Sequence, residues 1–152
     1  MLTEDSLPGD MIRELIHIAQ VEGMAVMAHA NGISALYAAE GGVDSVEHGA
    51  YLTGETLSAM QENGAVWVPT LSTIGNLRGT GRFSESDVEK ILESALSNVE
   101  QFHKIGGILA AGTDAGAWSV PHGSTTEEAY LAMAGVDEAA LQKGLAAIQA
   151  KF

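Results

Sequence analysis

The sequence contains no cysteine, which excludes disulfide bonds, thiolate metal ligands and cysteine nucleophiles. Histidine and carboxylate side chains remain as the plausible ligands for a metal. Five histidines occur in 152 residues. The position of each histidine in the fold therefore bears directly on function.

Basic residues are scarce, with 7 Lys+Arg against 20 Asp+Glu and a formal net charge of -13 at pH 7. Such a negative field repels phosphate backbones and anionic lipid surfaces. We therefore expect neither nucleic acid nor a membrane as a partner.

Long apolar runs are also missing. No window approaches the roughly 18 uninterrupted apolar residues of a membrane helix, and residues 1–10 lack a basic region followed by an apolar core. We expect a cytoplasmic protein. Because 46% of the residues are hydrophobic, the chain can bury a core, and we expect one domain over residues 1–152.

Helical and strand-like patterns alternate along the chain. Apolar residues at helical spacing favour helices, and short continuous apolar runs are typical of strands buried on both faces. The predicted helices are 8–21, 32–40, 55–63, a long helix with a capping box at Ser86-x-x-Glu89, and two helices after Ser124-x-x-Glu127 and after Asp137. The predicted strands are 24–29, 45–48, 65–69 and 108–112.

This alternation predicts an α/β fold with about four parallel strands and covering helices. Two architectures fit it: half of a (β/α)8 barrel, or a small doubly wound sheet. No repeat or linker interrupts the alternation, and the polar segment 72–82 is expected to be the most mobile part.

Three predicted strands end in side chains that can bind a metal or transfer a proton: His29, His48 and Asp114. Ligands bind beyond the carboxyl ends of parallel strands, in barrels and in open sheets alike. Two imidazoles and a carboxylate are typical ligands of a divalent metal such as zinc, which can lower the pKa of a bound water toward neutrality. A single polar residue at a strand end is a loop cap about as often as it is a functional residue. Three such residues at three strand ends favour a metal site.

Four segments around these residues carry a family resemblance. They are MAHA at 27–30, SVEHG at 45–49, GTDAG at 112–116 and PHG at 121–123. Together they resemble the later strands of the amidohydrolase superfamily, nearest to its imidazolonepropionase and prolidase-like branch. The resemblance covers essentially the whole chain in order, and it implies the C-terminal half of a (β/α)8 TIM barrel.

The resemblance also implies roles for individual residues. His29 and His48 would be the metal ligands of the fifth and sixth strands, and Asp114 the eighth-strand carboxylate that binds metal and carries the proton. His122 would face the substrate. Trp118, in the same loop region, is a second candidate for substrate contact because of its position after Asp114.

The implied cofactor is a divalent metal, zinc first, with manganese, nickel and iron as alternatives. The implied reaction is hydrolysis of an amide or other C-N bond in a small-molecule substrate. Hydrolytic deamination, which a related branch performs with a similar site, is an alternative reaction.

This sequence departs from the family pattern at one important point. The paired His-x-His of the family's first strand and the lysine of its fourth strand have no counterpart here. The resemblance therefore implies half of a metal site, which a complementing N-terminal half or a homo-oligomer would complete. A different hypothesis is a catalytically silent half-barrel or association module, because an unclosed sheet exposes two edges that favour pairing.

Other conspicuous residues have structural interpretations. His17 and His103 lie on helices, and Trp67 lies in an apolar strand where we expect it to be core. Glu127-Glu128 is expected to be a solvated helix face with a capping role. Neither a G-x-S-x-G nor an H-E-x-x-H motif occurs, which argues against serine hydrolases and zincin proteases.

Overall fold

The structure is a computed structural model that describes residues 7–116 and 118–152. In chain order its elements are α1 (Gly9–Val21), β1 (Met27–Ala30), α2 (Gly32–Glu40), β2 (Ser45–His48), α3 (Gly54–Glu62), β3 (Val66–Val68), α4 (Ser72–Gly75), α5 (Glu85–Lys104), β4 (Ile108–Leu109), α6 (Thr126–Met133) and α7 (Glu138–Lys151). Within these described ranges, no helix is both long and apolar enough to cross a membrane.

The four strands form one parallel sheet in the order β1-β2-β3-β4. Parallel neighbours need crossover connections, and the helices between the strands provide them. A doubly wound sheet would reverse its strand order at a switch point, whereas the order here is sequential, as in a barrel. The predicted α/β fold with four parallel strands and covering helices is confirmed.

The outer face of the sheet, covered by α2, α3 and α5, carries the main core. Val46, Trp67 and Leu109 lie side by side across β2, β3 and β4 and pack into this core. Trp67 is 1% exposed, and its ring meets Phe102 of α5 edge to face at 5.6 Å. Trp67 is therefore a core residue, as predicted.

The inner face carries a smaller cluster of Val66, Val68 and Ala110, which packs against Ala147 and Ile148 of α7. In a closed barrel this face would point toward the barrel centre. Here α7 covers part of it.

Helix α7 also covers the free edge of β4. The Ala110 amide donates to the Trp67 carbonyl, so the backbone groups of the preceding residue, Leu109, point away from β3. Gly144 of α7 lies against this side so closely that a Cβ atom there would overlap the Leu109 carbonyl. The edge where another strand could pair is thus occupied by a helix.

The opposite edge, β1, is open. Among the described residues, β1 has a strand neighbour on one side. Met27 is 54% exposed and His29 is exposed as well, because both lie on the inner face, which α7 covers only in part. The prediction that this strand is buried on both faces is wrong for that reason.

Helix α1, next to the open edge, presents an unpacked apolar face. Met11, Leu15, Ile18 and Val21 follow helical spacing and are each about half exposed or more. We call these four residues the α1 stripe. The other face of α1 buries Ile16 against the core.

Two predicted helix starts are wrong. Helix α5 begins at Glu85 after Ser84, before the expected capping box at Ser86, and Ser84 makes no capping side-chain bond. Helix α6 begins at Thr126, also without a capping side-chain bond. The cap predicted at Asp137 is confirmed, since its side chain accepts the Ala140 amide at 2.8 Å.

Candidate functional site

His29 and His48 meet at the carboxyl ends of β1 and β2. Their ring centroids are 4.3 Å apart, with planes inclined by 64°. Regular strand alternation would separate them, because His29 is in register with Glu47 and His48 with Ala30. His48 escapes that alternation with a φ of 67°, a left-handed conformation that is uncommon outside glycine.

A pocket of about 220 Å³ lies around the two histidines, and Asp114 forms part of its wall. We call it the site pocket. The structure thus brings together the three residues that the strand-end argument selected. Asp114 itself is exposed, so water reaches its carboxylate.

Backbone strain is concentrated in the wall of this pocket. His48, Thr70 and Asp114 all line it, and their φ angles are 67°, 48° and 51°. Strained conformations persist where the surroundings hold them, and they cluster at active sites and ligand clamps. The strain is an independent reason to regard this pocket as functional.

Thr70 is a site residue that the sequence interpretation missed. Its Oγ1 lies 2.6 Å from Nδ1 of His48, and the residue is buried. Thr70 follows β3 after Pro69, so the strand-end rule, applied to this strand as well, would have indicated it. Its hydroxyl is a hydrogen-bonding partner that orients a candidate metal ligand.

The sequence interpretation of Glu127 is wrong. Glu127 is fully buried, not a solvated helix face, and its two carboxylate oxygens accept the amides of Leu71 and Ser72 at 2.9 and 2.7 Å. Burial raises the pKa of this carboxyl, and hydrogen bonds from Ser72 and Leu71 partly oppose the shift. Glu127 therefore joins α6 to the turn that carries Thr70.

This anchoring also corrects the expectation for segment 72–82. The segment begins with helix α4, where a mobile loop was expected. Asn76 donates to the Ser119 carbonyl at 3.0 Å, and Thr126 donates to Ser72 at 3.0 Å. The start of the segment is therefore fastened to the region before and within α6.

Glu47, next to His48 in sequence, lies half-buried on the inner face in a larger groove of about 670 Å³ against α6 and α7. Burial raises the pKa of Glu47, while a 2.7 Å hydrogen bond from Ser45 and the nearby His29 lower it. The lining of this groove does not include the two histidines or Asp114. The larger cavity is therefore separate from the site pocket.

Trp118 and His122 lie outside the wall of the site pocket. Trp118 is 62% exposed and stacks on the Arg82 guanidinium at 4.8 Å. His122 is exposed and lies beside Gly116. Their contact with substrate stays a prediction.

Solved structures of hydrolases share this fold. A putative prolidase from Bifidobacterium longum superposes with a TM-score of 0.77 at 26% identity, over 97% of this chain and 40% of that one. A Xaa-Pro dipeptidase with bound methionine gives a TM-score of 0.78 at 23% identity, over 96% and 39% of the two chains. Ochratoxinase from A. niger gives 0.71 at 25% identity, over 95% and 32%. The chain is a relative of the amidohydrolase superfamily.

The superfamily and half-barrel fold expected from the sequence are thus confirmed. Curated relatives from Mycobacterium tuberculosis and Mycobacterium bovis, described as uncharacterized proteins, are 31% identical over 126 residues, which is 78% of this chain and 34% of theirs. The chain therefore spans about a third of the length of the curated relatives it matches. No family model matches the sequence.

Two nitrogen donors and one oxygen donor around the site pocket are a set that suits a divalent ion. However, residues 7–116 and 118–152 contain no group of three or more His, Asp or Glu side chains placed to hold a metal. The paired imidazoles fit one side of a metal site. Whether these three side chains hold a metal stays a prediction for this amidohydrolase relative.

Proposed function

We propose that the chain forms part of a metal-dependent hydrolase of amide or other C-N bonds in small molecules. The observation that carries the proposal is the contact of His29 with His48 in the same pocket as Asp114, at the carboxyl ends of parallel strands. Fold similarity to a Xaa-Pro dipeptidase and a prolidase supports amide-bond hydrolysis as the reaction class.

In this proposal His29 and His48 hold the metal through imidazole nitrogens, with zinc as first choice and manganese, nickel or iron as alternatives. A bound metal would supply Lewis-acid polarisation of the amide carbonyl. The Asp114 carboxylate takes a proton from the attacking water and gives it to the leaving nitrogen. Trp118 and His122, in the segment after Asp114, contact the substrate.

A complementing half with its own strands and helices is the proposed partner. The open edge of β1 offers unpaired backbone groups, and the α1 stripe offers apolar surface beside it. An eight-stranded barrel needs four strands beyond the four described here. The greater length of the curated relatives is sufficient for such a half.

A catalytically silent half-barrel, which serves in association alone, is the competing function. It is favoured by the lack of a three-ligand group among the described residues. Metal affinity separates the two functions, because a silent module has no need of the paired histidines.

Isothermal titration with zinc tests the proposal, on the chain alone and with the N-terminal half of a mycobacterial relative. We expect binding that strengthens when the half is added. His29→Ala and His48→Ala should each weaken it by at least about tenfold. His17→Ala, an exposed histidine on α1 away from the pocket, is the control and should bind like wild type. Equal zinc affinity of all four proteins would contradict the proposed metal site.

A further inference from the structure

The hydrogen bond between His48 and Thr70 depends on an unfavourable backbone conformation. Thr70 is β-branched, and its φ of 48° lies in the left-handed region, where such residues are genuine outliers. Yet this conformation accompanies the 2.6 Å approach of Oγ1 to Nδ1 of His48. Something in the surroundings must hold the turn.

The groups that hold the turn can be identified. The two residues after Thr70, Leu71 and Ser72, donate their amides to separate oxygens of Glu127 at 2.9 and 2.7 Å. Thr73 binds the Thr70 carbonyl through its amide at 3.0 Å and through its hydroxyl at 2.8 Å. The contact with Glu127 joins residues 56 and 55 positions apart, and it ties two successive amides of the turn to α6 through one side chain.

The carboxylate of Glu127 is well suited to this task. It is fully buried, and a buried acceptor that satisfies two backbone amides leaves neither donor without a partner. Both oxygens are used, so an amide side chain in its place would lose one acceptor and set an N-H against a backbone N-H. The chain of contacts runs from Glu127 through the turn to Thr70 and then to His48.

We propose that Glu127 is a positioning residue for His48: by holding the 70–72 turn it keeps the Thr70 hydroxyl on Nδ1, which fixes the orientation of the imidazole ring. This inference rests on the proposed function for its purpose, but the structural link itself does not require a metal. Outer partners of this kind orient the ring of a metal-binding histidine and tune its affinity.

Nitrogen-15 NMR of the His48 ring tests the link without any metal. Glu127→Gln should move the Nδ1 resonance of His48 toward that of a ring without this hydrogen bond. Glu128→Gln, the same change at the exposed neighbouring residue, should leave it in place. Unchanged His48 resonances in a folded Glu127→Gln protein would overturn the proposal.

A second pair of variants covers the case in which Glu127→Gln does not fold. Thr70→Val keeps the shape of the side chain and removes its hydroxyl, so it should shift the His48 resonances. Thr70→Ser retains the hydroxyl and should restore them. If Thr70→Val left the ring resonances as in wild type, the Thr70 contact would not fix the ring and the proposal would fail.

Zinc titration of the same variants separates this proposal from the proposed function. Glu127→Gln and Thr70→Val should bind zinc about 10- to 100-fold more weakly than wild type. If the His48 resonances shift as expected but the wild-type chain, with the complementing half, takes up no zinc, the positioning role stands and the metal site fails.

Discussion

At the scale of single residues, the candidate site depends on backbone conformations that a sequence pattern does not reveal. The strand-end rule selected His29, His48 and Asp114 from local apolar runs, and all three line the site pocket. The contact of His48 with His29 accompanies a left-handed φ of 67° at His48, and the following Gly49 does not by itself indicate that conformation. That these three residues share one pocket was thus predictable, while their arrangement and the contact of Thr70 with His48 were not.

Glu127 shows a second limit of local patterns. A Glu-Glu pair at a helix start is usually solvated, and Glu128 is exposed as expected. Glu127 is buried because its partners, the Leu71 and Ser72 amides, come from a turn more than 50 residues earlier in the chain. A local sequence pattern cannot predict a contact with residues so far away in the chain.

The raised pKa of Glu127 predicts a pH dependence of stability. Burial favours the protonated form in the folded chain, whereas in the unfolded chain the carboxyl titrates near its ordinary pKa of 4.5. As pH rises above that value the unfolded state loses its proton first, so the free energy of unfolding falls until the folded-state pKa is passed. Glu127→Gln removes this contribution.

Urea unfolding at several pH values from about 4 to about 8 measures this effect. The free energy of unfolding of wild type minus that of Glu127→Gln should decrease as pH rises. This holds whichever of the two proteins is more stable at the lowest pH. Glu128→Gln should follow wild type. Parallel pH curves for wild type and Glu127→Gln would show that burial does not raise this pKa.

At the scale of helices and strands, the pattern predicted which elements exist better than where they pack. Helix 32–40 and strand 45–48 match the structure at both ends, since glycines and turn residues bound them clearly. Helix α4 was missed because four residues are too few to show a period. The sequence predicted a helix after Asp137 but could not show that it would pack on β4 and the inner face.

The contact between α7 and β4 predicts an unusual response to a glycine substitution. Glycine to alanine inside an exposed helix stabilises by about 1 kcal/mol. At Gly144 the added methyl would overlap the Leu109 carbonyl, so Gly144→Ala should instead destabilise by about 1–3 kcal/mol. Chemical denaturation measures the difference, with exposed Lys143→Ala as a control. A more stable Gly144→Ala protein would mean that α7 does not rest on this edge.

At the scale of the whole molecule, the two edges of the sheet differ. The β4 edge is covered by α7, whereas the β1 edge is open beside the α1 stripe. The half-barrel, one of two architectures that fit the strand-helix alternation and the one that the family resemblance implied, is confirmed. The difference between its two edges is visible in the structure alone. We therefore expect a complementing half to bind first at β1 and α1.

Substitutions in the α1 stripe test this docking direction. Leu15→Glu and Ile18→Glu change exposed residues, so the fold should be preserved, but each should weaken binding of an N-terminal half by about tenfold or more. Met133→Glu changes an equally exposed apolar residue on α6 and should have no effect. Sedimentation velocity measures the complex and also shows whether the chain alone forms a homo-oligomer. Normal binding by both α1 variants would place the interface elsewhere.

The most direct test of the central claim is amide hydrolysis by the chain combined with the N-terminal half of a mycobacterial relative and zinc. With Xaa-Pro dipeptides as probes, we expect release of free amino acids, and Asp114→Asn should lower kcat by at least about 100-fold while Asp87→Asn has no effect. Release of ammonia would indicate deamination instead. Full turnover by Asp114→Asn, or none by wild type in a complex that binds zinc, would contradict the proposed hydrolase.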